Sequence, residues 1–539
     1  MKKLYFCILV FVCFVFADLP TNFDLRNVNG ENYVTSVKSQ QGGTCWTHAT
    51  MAVMESNLLK SNDWLYTYEP DLAEYHLDWW NGFNQNYNGD LENPTGTGLE
   101  VHMGGDYLVS AAYLARTNGA VANSSAQSFD NPPEYYDYDY DIYSPEHIEW
   151  YTMDDELNGI EEIKQAIIDY GAIGTCMFYN NAFIDWDYNH YQPATSNELP
   201  NHAVTIIGWD DERITQAPNA GAWLVKNSWG TGWGHDGYFW ISYYDKWSCR
   251  EPFMGAVSMR GKINYGFLNF QDSAIGHDYH GWRDTLEDVS IAMNHFDQED
   301  SPYIIGGFSW IDGYGIITAT DNCEVTITTA SDFEFQNIID NRTVLVPKRG
   351  FHYIETENMV GIMYMSDIYV KVELSNGGHA IDRTSDIPVL LGGVPGKTIV
   401  ESTADYNESF YFQNGEWLDL KEYDLGDYTG SANFCIKIYA EHEVSIEETI
   451  AENHGIISSY PNPFNPETNI SFVAEGMKDV RIVVYNSKGE SVKEFNVNNV
   501  QTGIQSVKFN ASNLPSGVYN AAIFGNNRLM SSSKMVLIK

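Results

Sequence analysis

The sequence predicts a multidomain α+β protein: a mixed helix-and-strand region up to about residue 257, then an all-β sandwich, then a small immunoglobulin-like β-sandwich. Three observations predict it. The chain has 539 residues, which implies three or four domains at about 150 residues each. Hydrophobic residues make up 43% and aromatic residues 14%, with 36 Tyr and 15 Trp, so packed cores are expected and a disordered chain is excluded. Helix-length patterns stop near residue 257, beyond which only short strands between turns recur.

Residues 1–17 read as a signal peptide. Met1-Lys2-Lys3 is basic, Leu4 to Phe16 is unbrokenly apolar, and Val15-Phe16-Ala17 sets cleavage after Ala17. The run is too short to span a bilayer and no later stretch replaces it, so an exported chain with no membrane span is expected. In the region 18–257, Thr44 is placed to cap a helix running from Cys45 through Ala49 and Val53 towards Leu59. A second helix covers Ile160 to Ile168 and is ended by Gly171. Strands are expected at Ala172–Phe178, His202–Trp209, Ala222–Lys226 and Gly237–Tyr243. The Tyr- and Asp-rich segment Asp130–Asp155 reads as a surface insertion. Residues 258–445 carry short strands such as Glu324–Thr328, Val360–Met365 and Ile368–Val372. Residues 446–459 read as a linker, and 460–539 is again strand and turn. There Val480, Ile482 and Val484 alternate before an Asn486-Ser487-Lys488-Gly489 turn.

Lys and Arg number 30 against 73 Asp and Glu, a net charge of −43. Such a surface repels phosphate backbones and anionic lipid, so nucleic acid is excluded as a partner, and the acidity reads as that of a soluble secreted protein. Signal cleavage leaves Cys45, Cys176, Cys249, Cys323 and Cys435, an odd and scattered set that is neither a disulfide framework nor a zinc site. Asn84, Asn86 and Asn88 open like a calcium loop, but Thr95 stands where the closing Glu would be. No metal and no cofactor is expected.

A cysteine nucleophile needs a lowered thiol pKa, a nearby imidazole and donors for the oxyanion. Cys45 stands where the turn Gln41-Gly42-Gly43-Thr44 enters a helix, at the positive end of its dipole. His202 opens an apolar strand in Asn201-His202-Ala203-Val204. Asn227 ends another in Lys226-Asn227-Ser228-Trp229-Gly230, where its side-chain oxygen can hold one imidazole nitrogen and leave the other for the sulfur. Trp229 could cover that bond. His48, one turn after Cys45, reads as packing.

These blocks, with Val37-Lys38-Ser39-Gln40, Thr44-Cys45-Trp46 and Gly232-Trp233-Gly234, resemble the papain family of cysteine peptidases over about Leu19 to Val257. The resemblance implies a two-lobed domain, a helical lobe plus a β-barrel-like lobe, acting on protein or peptide substrates. His202 and Asn227 lie further from the Cys than the about 130–150 residues usual for the family, which implies an insertion in the helical lobe. It implies Cys45 as nucleophile, His202 as general acid/base, Asn227 as the residue orienting the imidazole, and a Gln as oxyanion donor. Gln40 fits that role by context, with Gln41 the alternative because the turn is one residue short. Gly104-Gly105 resembles the glycine pair that binds extended substrate through its backbone, and Asp106 follows at a pocket position; Asn201 and Trp229 complete the expected substrate-binding set. The family's disulfide is missing, with Gly42 or Gly43 at one end and Val101-His102-Met103 around the other. Asp18-Leu19-Pro20 resembles a mature N-terminus, which implies an open cleft needing no removal of an inhibitory segment; Asp130–Asp155 is the first suspect otherwise.

Residues 258–445, through Gly350–Glu355, Ser409–Phe412, Trp417–Leu420 and Asn433–Lys437, resemble a lectin-like β-sandwich, which implies carbohydrate or peptide binding or a structural partner of the peptidase. Tyr460-Pro461-Asn462-Pro463-Phe464, Leu514–Tyr519 and Lys534–Leu537 resemble a type IX secretion sorting domain, implying the secretion machinery as partner and a secreted or cell-surface location. The expected function is a secreted bacterial cysteine endopeptidase. Its rivals are an idle surface binding protein and a peptide ligase or transpeptidase using the same acyl-enzyme.

Overall fold

The computed structural model describes residues 19–442 and 457–539, apart from positions 65, 92–95, 123, 138–139, 252–254, 264–273, 298–308, 362–366, 388–389, 394–397, 475–478, 487–490, 499–502 and 526–527. The expected signal peptide, the Asn486–Gly489 turn beyond its first residue and most of the expected linker lie outside the described residues. The chain divides into two units, up to residue 442 and from 443 on.

Among the described residues the first unit has four α-helices, α1 (Cys45–Ser61), α2 (Glu74–Trp80), α3 (Tyr107–Ala115) and α4 (Ile160–Tyr170); α1 and α3 share one core, whereas α4 packs into the core of the strands around His202–Asp210. Helix α1 is buried from Cys45 through Met51 and again from Val53 to Leu58, as expected of a helix running through a core rather than along a surface. It ends in the left-handed Asn62, whose N–H returns to the Leu58 carbonyl. Helix α4 is amphipathic, burying Ile160, Ile163, Ala166 and Ile167, with Glu161 and Glu162 in its first turn and Gly171 as its stop. The expected helix starts are therefore found, although Thr44 does not cap: its hydroxyl donates to the Gln41 carbonyl at 2.9 Å instead. Helices α2 and α3 carry no cue the sequence reading used.

One large sheet runs through this unit. Its order is Ala274–Ile275, Ile436–His442, Ser309–Thr318, Gly350–Gly361, His147–Tyr151, Ala256–Arg260, Ile173–Met177, His202–Asp210, Ala222–Lys226, Tyr238–Ser242 and Asn189–His190. The four strands expected after α4 are present within one or two residues of their expected ends. The sheet crosses the boundary drawn at 257. His147–Tyr151 pairs with Ala256–Arg260 on one side and, through Ile148 and Phe351, with Gly350–Gly361 on the other. The Asp130–Asp155 segment is thus corrected in part: its second half is an interior strand with Ile148, Glu149, Trp150 and Tyr151 buried.

A six-stranded sheet faces the distal part of this large sheet, in the order Ile338–Val346, Cys323–Ala330, Asp367–Leu374, Ile291–Asp297, Ser409–Gln413 and Glu416–Asp419. The two faces share a core that includes Val325, Ile327, Val370, Ile316 and Ile438, the alternation of a sandwich. The second unit has a three-stranded and a four-stranded sheet sharing a core of Phe464, Ile470, Ile482, Phe509 and Ile523. Its first strand, Ile457–Tyr460, already begins within the stretch expected to be linker.

Behind the lobes' junction sits a buried ionic cluster. Lys38 Nζ donates to Glu55 at 2.8 Å and to Glu74 at 2.6 Å, and Glu55 also accepts from Thr35 at 2.6 Å and from the Leu72 N–H at 2.9 Å. Lys226 reaches the Thr35 hydroxyl at 2.9 Å. Glu55 therefore holds three donors, and Glu55→Ala leaves the Leu72 amide and the Thr35 hydroxyl without their acceptor, while Lys38 keeps Glu74 and Asp71. We expect that change to cost about 1–3 kcal/mol, read as a fall in the urea midpoint, and the same midpoint as wild type would mean that Glu55 contributes nothing net.

Candidate active site

The turn before Cys45 is fixed from both sides. Gly42 takes φ +65°, a conformation glycine enters without strain. Gly43 N–H donates to the His102 carbonyl at 2.6 Å. A Cβ on Gly42 would lie 3.1 Å from that of His102, so the two places where the resemblance puts a disulfide do face each other. Here His102 makes the join by other means. Its imidazole bonds Asp78 and the Phe129 carbonyl, and it stacks on Phe129 at 3.9 Å between ring centroids.

Cys45 begins α1 and is wholly buried. Its Sγ accepts from the Ala203 N–H at 3.3 Å, which sets it against the first residues of the His202–Asp210 strand. Asn227, at the end of the adjacent strand, accepts from His202 Nε2 at 2.8 Å and from the Ser228 N–H at 2.8 Å on the same oxygen. The Ser228 amide can only donate, so that atom is the oxygen. His202 Nε2 therefore carries the proton and Nδ1 is the nitrogen left for sulfur. Trp229 stacks on His202 with centroids 4.5 Å apart and is itself flanked by Tyr179 and Trp233. Gln40 is held through its carboxamide: Ser228 Oγ donates to Oε1 at 2.7 Å and Nε2 donates to the Gly42 carbonyl at 2.9 Å. Gln41 is exposed. His48 packs as expected, its Nδ1 against the Thr44 carbonyl at 2.8 Å.

Of the expected substrate-binding set, Asn201 adjoins His202, Trp229 stacks on it, and Gly105, next to Gly104, packs against Trp46 beside Cys45. Asp106 does not line a pocket and does not face solvent. It is fully buried as the N-cap of α3, accepting from the Val109 N–H at 2.7 Å, because a helix begins directly after the glycine pair. The cleft is also not open. Residues 390–393, from the β-sandwich part of the unit, cross it: Leu391 and Gly105 exchange two backbone hydrogen bonds, at 2.8 and 3.3 Å, and Gly392 N–H donates to the Asn201 carbonyl at 2.7 Å. The first suspect, Asp130–Asp155, is not this cover. The one sequence signal was the apolar Leu390-Leu391 in a place where a solvated loop would be polar. Under the cover, burial pushes the Cys45 thiol up to about 12 and the His202 imidazole down to about 4, so both groups are neutral at pH 7.

Residues 19–254 match the family model of papain family cysteine protease, 278–440 that of a lectin-like domain, and 458–539 that of a secretion system C-terminal sorting domain. Procathepsin L of Felis catus is 28% identical over 233 residues, 42% of this chain and 62% of that protein. Cathepsin K of Gallus gallus is 25% identical over 243 residues, 43% and 61% of the two chains. The chain thus spans about three-fifths of the length of these curated relatives. The clostridial cysteine protease Cwp84 after propeptide cleavage superposes with a TM-score of 0.58 at 20% identity, covering 76% of this chain and 97% of that one. A structure of the cysteine protease and lectin-like domains of Cwp84 from Clostridium difficile gives the same TM-score at 19% identity, covering 79% and 90%. The fold shared with Cwp84 covers more of this chain than its papain-like residues alone.

The resting pair gives a spectroscopic expectation. An acid whose pKa is raised stays protonated until the pH approaches that raised value, so the ultraviolet thiolate absorbance lost on Cys45→Ser should be absent at pH 7 and emerge only in strong alkali. A thiolate difference signal already present at pH 6 would mean a preformed ion pair and contradict the covered geometry.

Proposed function

We propose that the papain-like part of this chain, residues 18–257, is an exported cysteine endopeptidase in which Cys45, His202, Asn227 and Gln40 carry the chemistry. The observation that carries this reading is the arrangement of Cys45 against the His202 strand with Asn227 fixing the imidazole tautomer. Once the cleft is free, loss of burial lets the proton pass from Sγ to Nδ1, and the helix α1 terminus favours the thiolate so formed. The thiolate attacks the scissile carbonyl to give a tetrahedral oxyanion. The Cys45 N–H and the second N–H of the Gln40 carboxamide, the first being spent on Gly42, are the donors nearest the turn. His202 passes its proton to the leaving amine, an acyl-thioester remains, and water activated by the neutral imidazole releases it.

Gly105 and Asn201 would bind substrate backbone in extended form, as an added strand. The proposed domains beyond are a lectin-like sandwich over 258–445, for which carbohydrate is a candidate ligand, a linker over 446–459 and a sorting domain over 460–539 that engages type IX secretion machinery. The sorting-domain match supports a secreted or cell-surface protein.

Cys45→Ala and His202→Ala are each expected to lower peptide hydrolysis by several orders of magnitude, since the pair acts as a unit, and near-wild-type turnover in either would sink the assignment. Asn227→Ala should cost less, because nucleophile and base remain. Gln40→Ala should lower kcat by about 10²–10³ with KM little changed. The same loss in Gln41→Ala instead would reassign the donor.

A further inference from the structure

The segment in the cleft has the bonding of a ligand rather than of a passing loop. Leu391 pairs antiparallel with Gly105 through both of its backbone groups, and the next residue, Gly392, donates to the carbonyl of Asn201, the neighbour of His202. An extended peptide about to be cut after the residue at Gly392 would present the same groups to the same partners. Leu391 is fully buried in one core cluster with Cys45, Trp46, Cys176 and Ala203. Gly392 lies on the nucleophile: a Cβ there would sit 3.0 Å from Sγ and 2.5 Å from the Gly43 carbonyl oxygen, and φ is +88°. That φ begins the departure from substrate geometry. Gly393 N–H donates back to the Leu390 carbonyl at 3.0 Å, and Gly393 comes to lie against Gly104 and Met103. The chain doubles back on the side it came from, so the Gly392–Gly393 bond is not laid along the cleft.

The turn is anchored at its root. It lies between the paired strands Ser385–Ile387 and Thr398–Val400, where Ile387 and Val400 are buried. Past them, the Glu401 carbonyl accepts from Asn88 at 2.9 Å, its carboxylate accepts from Thr97 at 3.0 Å, and Thr398 donates to the Gly98 carbonyl at 3.4 Å. All three bonds are to the peptidase part.

We propose that Leu390–Gly393 is a pseudosubstrate turn, supplied by the lectin-like part of the chain, that fills the substrate side of the cleft in substrate polarity and keeps the peptidase closed until it is displaced. This rests on the peptidase reading above. It replaces the expectation of a cleft open from the outset.

The test uses the full chain as wild type, Leu391→Asp and Gly392→Val. The first puts a charge in an apolar pocket and the second puts a branched side chain where a Cβ already collides. Both variants should react with a peptidyl epoxide at Cys45 at least about tenfold faster than wild type, the gain expected when a competent state populated at about 10% or less becomes dominant. Cleavage of a short fluorogenic peptide should rise in parallel, and acetyl-Leu-Gly-Gly-amide should inhibit the variants competitively. In wild type, hydrogen exchange at the Leu391 and Gly392 amides should be slow and should quicken once Cys45 carries the epoxide. Fast exchange there in the untreated wild type, or equal labelling of all three proteins, overturns the turn's role, even where a variant folds poorly. If labelling and exchange respond as expected but no protein cuts peptide, the turn stands as the cleft's occupant and the peptidase reading fails. If all three cut peptide equally, the peptidase reading stands and the turn fails.

Discussion

The hydrogen bond from the Ala203 amide to Cys45 Sγ marks the contact on which the rest depends. Of the proposed catalytic pair, one residue starts a helix and the other starts a strand more than a hundred residues later, and a misplacement of about 1 Å can cost about 10²-fold in rate. Three further contacts hold that seam. The Tyr107 hydroxyl, from α3, is 3.0 Å from the Thr175 carbonyl and 3.3 Å from that of Val204, so it pins two neighbouring strands. Thr205 donates to the Ala49 carbonyl on α1 at 3.4 Å. Met177 lies opposite His202 in the ladder, which sets the register of the strand that begins with His202. A slip of one residue there would turn His202 to the other face of the sheet.

The Lys-Asn-Ser-Trp block reads as four separate fastenings around this seam. Lys226 reaches through Thr35 towards Glu55 and so ties its strand to the segment leading into the Cys45 turn. Asn227 takes the imidazole, Ser228 takes the Gln40 carboxamide, and Trp229 lies over His202. Only Lys226 belongs to the strand; Ser228 lies in a bend after its end and Trp229 bridges to Ser39, so the block turns from the strand onto the segment that carries Gln40. Behind them, a cavity of about 20 Å³ between the polar side chains of Lys38, Glu55, Glu74 and Asn227 and the apolar Ala49, Ala52 and Ala203 has room for about one water.

Much of the site was legible because its chemistry is written locally. A Cys after a glycine turn at a helix start, a His opening an apolar strand and an Asn closing one are features of short windows. The strands around His202 and Ala222 were legible because burial on both faces leaves unbroken apolar runs with abrupt ends. What stayed hidden was set by long-range pairing. Nothing in His147–Tyr151 alone says that Ile148 will face Phe351, and its Tyr- and Asp-rich flank pointed the other way. Asp106 followed the glycine pair as a pocket residue would, but a helix start nearby made it a cap. The role of Leu391 and Gly392 depends on a partner nearly three hundred residues away, and the loop chemistry of Leu-Gly-Gly is the same whether or not a cleft receives it.

The shared sheet gives the cover its strength. Three backbone hydrogen bonds and one leucine are a modest set of interactions: each bond contributes about 0.5–1.5 kcal/mol net and the side chain about 1.5–3 kcal/mol. Free in solution, such a peptide would bind weakly once the cost of ordering it is counted. Here that cost is met during folding, because Gly350–Gly361 is hydrogen-bonded to His147–Tyr151 and the hairpin root is docked on Gly98 and Asn88. The turn is then presented at an effective concentration of the millimolar order that short flexible links reach, or above it. A weak ligand so tethered closes the cleft without binding so tightly that a longer extended peptide, reaching past His202 where the turn does not, could not replace it. The same continuity of sheet that blurs the boundary between the papain-like part and its neighbour is therefore what would let the neighbour act as the reversible occupant proposed above.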